Sequence, residues 1–210
     1  MKKGILAVVS GFSGAGKGTV MKALLQKYDN YALSISATTR APRNGEVHGR
    51  EYFFKTIEEF EQLIADDQLI EYAKYEKNYY GTPKAYVLEQ LDAGKDVILE
   101  IEVQGALKVK EKMPDTMLVF LTPPSAEELR RRLVGRGTET MDVVESRLST
   151  ANEEAKVMDQ YDSVLINDNL EECVDSLHQL IQCEKYSADR NAEFISNIKE
   201  ELKVFLKGEK

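Results

Sequence analysis

The chain has 210 residues, 42% of them hydrophobic and 30% charged, which suits one compact unit of about 100–200 residues with its own core. Its 28 Lys and Arg against 36 Asp and Glu give a formal net charge of −8, which opposes nucleic acid and anionic membranes as partners. Any polyanion it binds must therefore meet a local cluster of cations.

No apolar run approaches the roughly 20 residues that cross a bilayer, and Met1-Lys-Lys-Gly-Ile-Leu-Ala-Val-Val meets Gly11 too early for a signal peptide. A cytoplasmic protein is expected. Ile5-Leu-Ala-Val-Val-Ser10 is a short β-branched apolar run closed by glycine, the pattern of a parallel strand buried on both faces. Gly11-Phe-Ser-Gly-Ala-Gly16-Lys17 follows, and apolar residues at Val20, Met21, Leu24, Leu25 and Tyr28 then repeat at helical spacing. Strand, glycine loop and helix thus come in the order a phosphate-binding loop requires. Glycines let backbone N–H groups converge on a phosphate, the helix start adds a favourable dipole, and an ammonium at Lys17 can span the β- and γ-phosphates. Gly18 stands where a Ser or Thr hydroxyl usually meets Mg²⁺, so protein ligation of the metal is thin, and Thr19 is the candidate phosphate-contacting hydroxyl.

From 33 to 80 the character changes. Leu33-Ser-Ile-Ser-Ala37, Arg50-Glu-Tyr-Phe-Phe54 and the tyrosine-rich stretch from Tyr72 to Tyr80 surround one helix over 56–67, and read as a small antiparallel insert. Strand-then-helix units return at 96–103, at 117–122 and at 163–166, the last followed by a helix over 170–183. These repeats predict an α/β fold with a mostly parallel sheet and helices on both faces. A second insert is expected over 130–155, where Gly135 to Thr140 interrupts two arginine-rich helical patterns. Glu100 and Glu102 are expected two apart on one strand, facing the same side at its carboxyl end beside the glycine loop. Cys173 and Cys183 fall in one helix about 15 Å apart along its axis, too far for a disulfide, and are expected as buried or half-buried free thiols. The tail over 191–207 carries a stripe of Phe194, Ile195, Ile198, Leu202 and Phe205, which predicts a helix docked on the core or on another subunit.

Ser36-Ala-Thr-Thr-Arg40-Ala-Pro-Arg43 offers two guanidinium groups and three hydroxyls to an anion, although alone these arginines read equally well as solvated charge. Together with the glycine loop, Gly45-Glu46-Val47, Asn78-Tyr79-Tyr80-Gly81, Gln104-Gly105, Pro123-Pro124-Ser125, Gly135-Arg136-Gly137-Thr138-Glu139-Thr140 and Asn167-Asp168, the chain resembles guanylate kinase from Ile5 to near Glu184. That resemblance implies a P-loop α/β core (1–33, 83–128 and 156–186), a GMP-binding insert (34–82), a helical lid (129–155) and a C-terminal extension (187–210). It implies ATP as donor with Mg²⁺, GMP or dGMP as acceptor, and transfer of the γ-phosphoryl group to give ADP and GDP. Gly11, Ser13, Gly14, Ala15, Gly16, Lys17, Gly18 and Thr19 would hold ATP, with Arg136, Asn167 and Asp168 near the adenine. Arg40, Arg43, Tyr52 and Tyr80 would hold the GMP phosphate, and Ser36, Glu71, Thr82 and Glu102 its guanine. Glu100 would serve the water shell of Mg²⁺ or position the arginines.

Lys17, Arg40 and the lid arginines Arg132, Arg136 and Arg147 would stabilise the transferred group, while Arg130 and Arg131 read as surface. The family often has aspartates where this chain has Glu100 and Glu102. Two other readings stand beside the kinase: a non-catalytic binding module of the same fold, and a kinase for another phosphorylated acceptor such as AMP. Lys17 with the arginines argues against the first, and Glu71 with Thr82 against the second. Monomer and homo-oligomer are both open.

Overall fold

The computed structural model describes residues 3–75, 77–135 and 140–206. Five parallel strands form the central sheet in the order β2 (Tyr31–Leu33), β7 (Asp96–Glu100), β1 (Leu6–Gly11), β8 (Met117–Thr122), β9 (Ser163–Ile166). Every residue of β1 is buried, as its unbroken apolar run predicts for a strand covered on both sides. One face packs on α1 (Lys17–Lys27) and α7 (Leu170–Glu184) through Val20, Met21, Leu24, Cys173, Val174, Leu177 and Ile181. The other carries α3 (Lys84–Asp92) and α4 (Val103–Lys112) through Val87, Leu91, Val103, Ala106 and Val109.

Phe120 of β8 meets Phe12 of the glycine loop edge-on at 5.0 Å and Tyr161 at 5.1 Å. Such aromatic pairs contribute about 0.5–1.5 kcal/mol each beyond the area they bury, so the loop is fastened to the core at its second residue.

The insert forms a second sheet, β4 (Phe53–Phe54), β3 (Ala37–Thr38), β6 (Asn78–Pro83), β5 (Leu69–Tyr75), with antiparallel pairing except for the parallel β3–β4 pair. The run from Leu33 to Ala37, expected as one strand of the insert, is instead divided. Leu33 ends β2 in the parallel sheet and Ala37 begins β3: Ser34 N–H still donates to the Ile98 carbonyl of β7 at 2.8 Å, while the Ser36 carbonyl already accepts from Phe53 N–H of β4 at 2.9 Å, so the chain passes from one sheet to the other at Ile35. α2 (Ile57–Ala65) starts at a capping box, with Thr56 Oγ1 accepting from Glu59 N–H and the Glu59 carboxylate accepting from Thr56 N–H. Its Phe60 is fully buried and stacks on Tyr79 at 5.2 Å, so Tyr79 packs the insert's core.

α5 (Ala126–Gly135) and α6 (Met141–Ala155) make the second insert, joined through Leu129, Leu133, Val144 and Ala151. α8 (Ala192–Leu206) corrects the expected docking on the core: Phe194, Leu202 and Phe205 are 58–77% exposed, and its principal neighbour is the short 3-10 turn before it. Both cysteines lie in α7 as free thiols. Cys173 is buried, which pushes its thiol up to about 11, but Cys183 is exposed, contrary to expectation. No helix among the described residues is long and apolar enough to cross a membrane.

Candidate active site

The phosphate loop runs from the carboxyl end of β1 into α1. Gly11 and Gly16 adopt φ +143° and +96°, which L side chains rarely take. A Cβ at Gly11 would fall 1.9 Å from the Leu121 carbonyl oxygen, and one at Gly16 2.5 Å from Asn167 Nδ2, so β8 and the residue after β9 press directly on the loop. Lys17 donates from Nζ to the Gly11 carbonyl at 2.6 Å and to that of Phe12 at 3.3 Å. Ser13 Oγ accepts from Arg147 NH1 at 2.8 Å, which ties α6 to the loop. Thr19 sits exposed on the first turn of α1.

Glu100, the last residue of β7, lies beside this helix start, its carboxylate oxygens 3.8 and 3.9 Å from where a Cβ of Gly18 would be. Desolvation raises its carboxyl and the charge of Lys17 opposes the rise. Glu102 corrects the expected same-strand pair: β7 ends at Glu100 and Glu102 is the N-cap of α4. An apolar Ile101 between two glutamates imitates strand alternation, but the backbone has already turned toward the helix.

In the acceptor region Arg40 lies over Tyr52 at 5.3 Å and over Phe54 at 5.9 Å, and the Tyr52 and Tyr80 rings are 6.3 Å apart. Its NH2 donates to Glu46 Oε1 at 2.9 Å and its NH1 to the Ala41 carbonyl at 2.8 Å. Glu46 Oε2 also accepts from Arg43 N–H at 2.7 Å, closing the loop that carries both arginines. Arg43 is exposed and Ser36 is half-buried just before β3. Glu71, only 8% exposed, accepts at Oε1 from Thr82 Oγ1 at 2.8 Å, while Gly105 of α4 stands 3.5 Å from Oε2 through its missing Cβ. Burial raises the Glu71 carboxyl. Thr82 and the charges of Lys108 and Lys112 pull it down, and that of Glu102 adds to the rise.

On the donor side Arg132 is half-buried and braces the loop from α5, while Asn167 is buried with its amide donating to the Ala15 carbonyl at 2.8 Å. Asp168 is exposed. Arg136, expected near the adenine, lies outside the described residues. Arg130 and Arg131 are exposed, as expected of surface charge.

The family model for guanylate kinase matches residues 3–184. The chain belongs to the guanylate kinase family. It is similar to the guanylate kinase of Lactococcus lactis, at 50% identity over 97% of this chain and 99% of that one. A guanylate kinase of Halalkalibacterium halodurans is 52% identical over 90% and 93% of the two chains. The crystal structure of guanylate kinase from Anaplasma phagocytophilum covers 89% of each chain at 34% identity and a TM-score of 0.69.

Beside the residues that the guanylate kinase resemblance implies, the structure brings forward three carboxylates that the sequence did not single out for a role. Glu46 pairs with Arg40 and Glu128 with Arg132, and Glu154 of α6 lies in the field of Lys17 and Glu102, its carboxyl raised chiefly by desolvation. The i, i+4 spacing of Glu128 and Arg132 was visible in the sequence. The other two depend on how a loop and a lid helix come back to the cleft, for which no local spacing is a signal.

Proposed function

We propose that the chain transfers the γ-phosphoryl group of ATP to GMP, giving ADP and GDP, as the family name of its relatives describes. The observation that carries this is where β7 ends. β7 pairs with β1, Val9 opposite Glu100, and the Glu100 carboxylate lies 3.8 and 3.9 Å from where a Cβ of Gly18 would be. On α4, the helix that follows, a Cβ at Gly105 would stand 3.5 Å from Glu71 Oε2, so one β7–α4 junction borders both the base-reading carboxylate and the phosphate loop. A nucleoside monophosphate read at Glu71 and Thr82 would present its phosphate to Arg40, Arg43, Tyr52 and Tyr80. The N1–H and N2–H₂ of guanine suit a carboxylate acceptor, and adenine, with an acceptor at N1, does not.

The phosphate oxygen of GMP attacks the γ-phosphorus in line, the bond to the β-phosphate oxygen breaks, and the electron pair leaves with ADP. Positioning and charge stabilisation supply the catalysis. Lys17 would hold the β- and γ-phosphate oxygens, and Arg147, already on the loop at Ser13, would meet the transferred group from the lid. Arg136 shares that role by the resemblance. Closure of the insert and lid would exclude water that otherwise hydrolyses ATP.

Mg²⁺, when bound, neutralises phosphate oxygens. Gly18 provides no hydroxyl, and Glu100, with its carboxylate beside Gly18, fits an acceptor for the ion's water shell. We assign the residues 34–82 to GMP, 129–155 to the lid, and the remaining sheet and its helices to the core. A coupled assay of ADP release with GMP, AMP and no acceptor tests the function. ADP release should depend on GMP, and equal rates in all three would refute it.

A further inference from the structure

The Ala15 carbonyl oxygen accepts from Asn167 Nδ2 at 2.8 Å and from Arg132 NH1 at 3.4 Å. In a trans peptide the C=O and the following N–H point in opposite directions. Pinning that oxygen toward the end of β9 therefore turns the Gly16 N–H the other way, as a phosphate cradle requires.

The pose of Arg132 decides whether this brace holds. Its NH2 donates to the Asn167 carbonyl at 2.8 Å and its Nε to Glu128 Oε1 at 2.7 Å. A guanidinium is a rigid plane, so fixing Nε fixes the direction of both terminal nitrogens. Glu128 is itself held. Arg131 donates to both of its oxygens at 2.6 and 2.7 Å, and its backbone N–H donates to Ser125 Oγ at 3.1 Å. The two arginines hold its carboxyl down at about 2, so it stays charged across the working pH range.

We propose that Glu128 is a positioning residue for ATP, acting through Arg132 on the Ala15–Gly16 peptide of the phosphate loop. The inference rests on reading that loop as the ATP site. A purely structural Glu128 would only strengthen α5 through its i, i+3 and i, i+4 pairs, and would leave nucleotide affinities alone.

The test measures Mg-ATP and GMP dissociation constants separately by calorimetry, with kcat, KM and Tm, for Glu128→Gln, Arg131→Ala, Arg132→Ala and the double variant Glu128→Gln/Arg132→Ala. Glu128→Gln should weaken Mg-ATP about tenfold, the loss of one charge-assisted bond, and raise KM for ATP alike. GMP affinity and Tm should stay near wild type, and Arg131→Ala should weaken ATP less than Glu128→Gln does, because Arg132 Nε still reaches Glu128 Oε1. The double variant should be no worse than Arg132→Ala alone, since both act on one brace. Losses that multiply, or a Glu128→Gln indistinguishable from Arg131→Ala, would overturn the proposal while leaving the ATP site in place. Unchanged ATP affinity in Arg132→Ala would instead overturn the placing of Arg132 at that site.

Discussion

Glu71→Gln separates recognition of the base from stability of the fold, because the wild-type carboxylate serves one at the expense of the other. Thr82 Oγ1 occupies one acceptor position on Oε1 at 2.8 Å, which leaves Oε2 and the second lone pair of Oε1 for the two guanine donors. In the glutamine variant the amide oxygen retains Thr82, and the NH₂ group then meets guanine N–H donors. Losing a charge-assisted bond costs about 1.5–3 kcal/mol, so kcat/KM for GMP should fall roughly ten- to a hundredfold. AMP should change little, and IMP, which keeps N1–H but lacks the amino group, should lie between them in the wild type. Stability should move the opposite way. Burial raises the Glu71 carboxyl, so the folded chain holds this proton at pH values where the unfolded chain has lost it. Stability is therefore lost as pH rises from the ordinary carboxylate range through the raised value, and the amide removes that loss. Tm of the ligand-free variant should exceed wild type at pH 7–8, and the difference should shrink as pH falls. Steady-state kinetics with three nucleotides and thermal melts at several pH values provide the check. A parallel fall in GMP and AMP efficiency, or a lower Tm at pH 7–8, would refute the reasoning.

Lys17→Ala should keep the wild-type fold by circular dichroism yet lose about 10³-fold or more in turnover, on the scale of a lost transition-state cation. Near-normal turnover in the folded variant would remove Lys17 from the chemistry. Arg147→Ala, which breaks the bond to Ser13, should lower kcat more than it weakens GMP binding measured by calorimetry. Asp96 is wholly buried and accepts from Ile5 N–H, Asn30, Gln182 and Lys185 at 2.8–3.0 Å. Asp96→Ala should therefore cost about 3–5 kcal/mol of unfolding free energy by denaturant titration. Because Asp96 begins β7, at the end away from the phosphate loop, KM for both nucleotides should hold below the melting range.

What the sequence made legible was local. β1, the loop and α1 were readable because period, glycine spacing and lysine all fall within 28 residues. The insert was readable as a unit, but not the sheet change between Leu33 and Ala37, since two strands so short carry no period of their own. Glu100-Ile-Glu102 alternates as a strand does over three residues, and an N-cap uses the same extended backbone, at φ −73° and ψ 160°, so local pattern does not separate the two. The stripe on α8 marks a helix, yet amphipathicity states that a face needs cover and not what covers it. Arg40, Arg43, Glu71 and Thr82 gain a joint meaning only through the resemblance, because residues of one site so far apart along the chain leave no trace in spacing.

The pairing of the cleft's cations explains how a chain of net charge −8 can present a polyanion site at all. Arg40 and Arg132 are 15% and 23% exposed in their side chains, too enclosed to be held apart by water alone. Each is set by one carboxylate, Glu46 or Glu128, through a single nitrogen, and a guanidinium has five N–H donors, so the partner fixes the plane without exhausting the donors. The cost of ordering these long side chains then falls on folding and not on binding, which is what pre-organisation means in a phosphate site. Lys17 differs in kind: its ammonium is a compact charge on a flexible stem, and it donates to the Gly11 and Phe12 carbonyls at the head of the loop. The arginines can therefore select the geometry of the phosphates, while the stem of the lysine lets its charge follow the phosphoryl group as it moves between them.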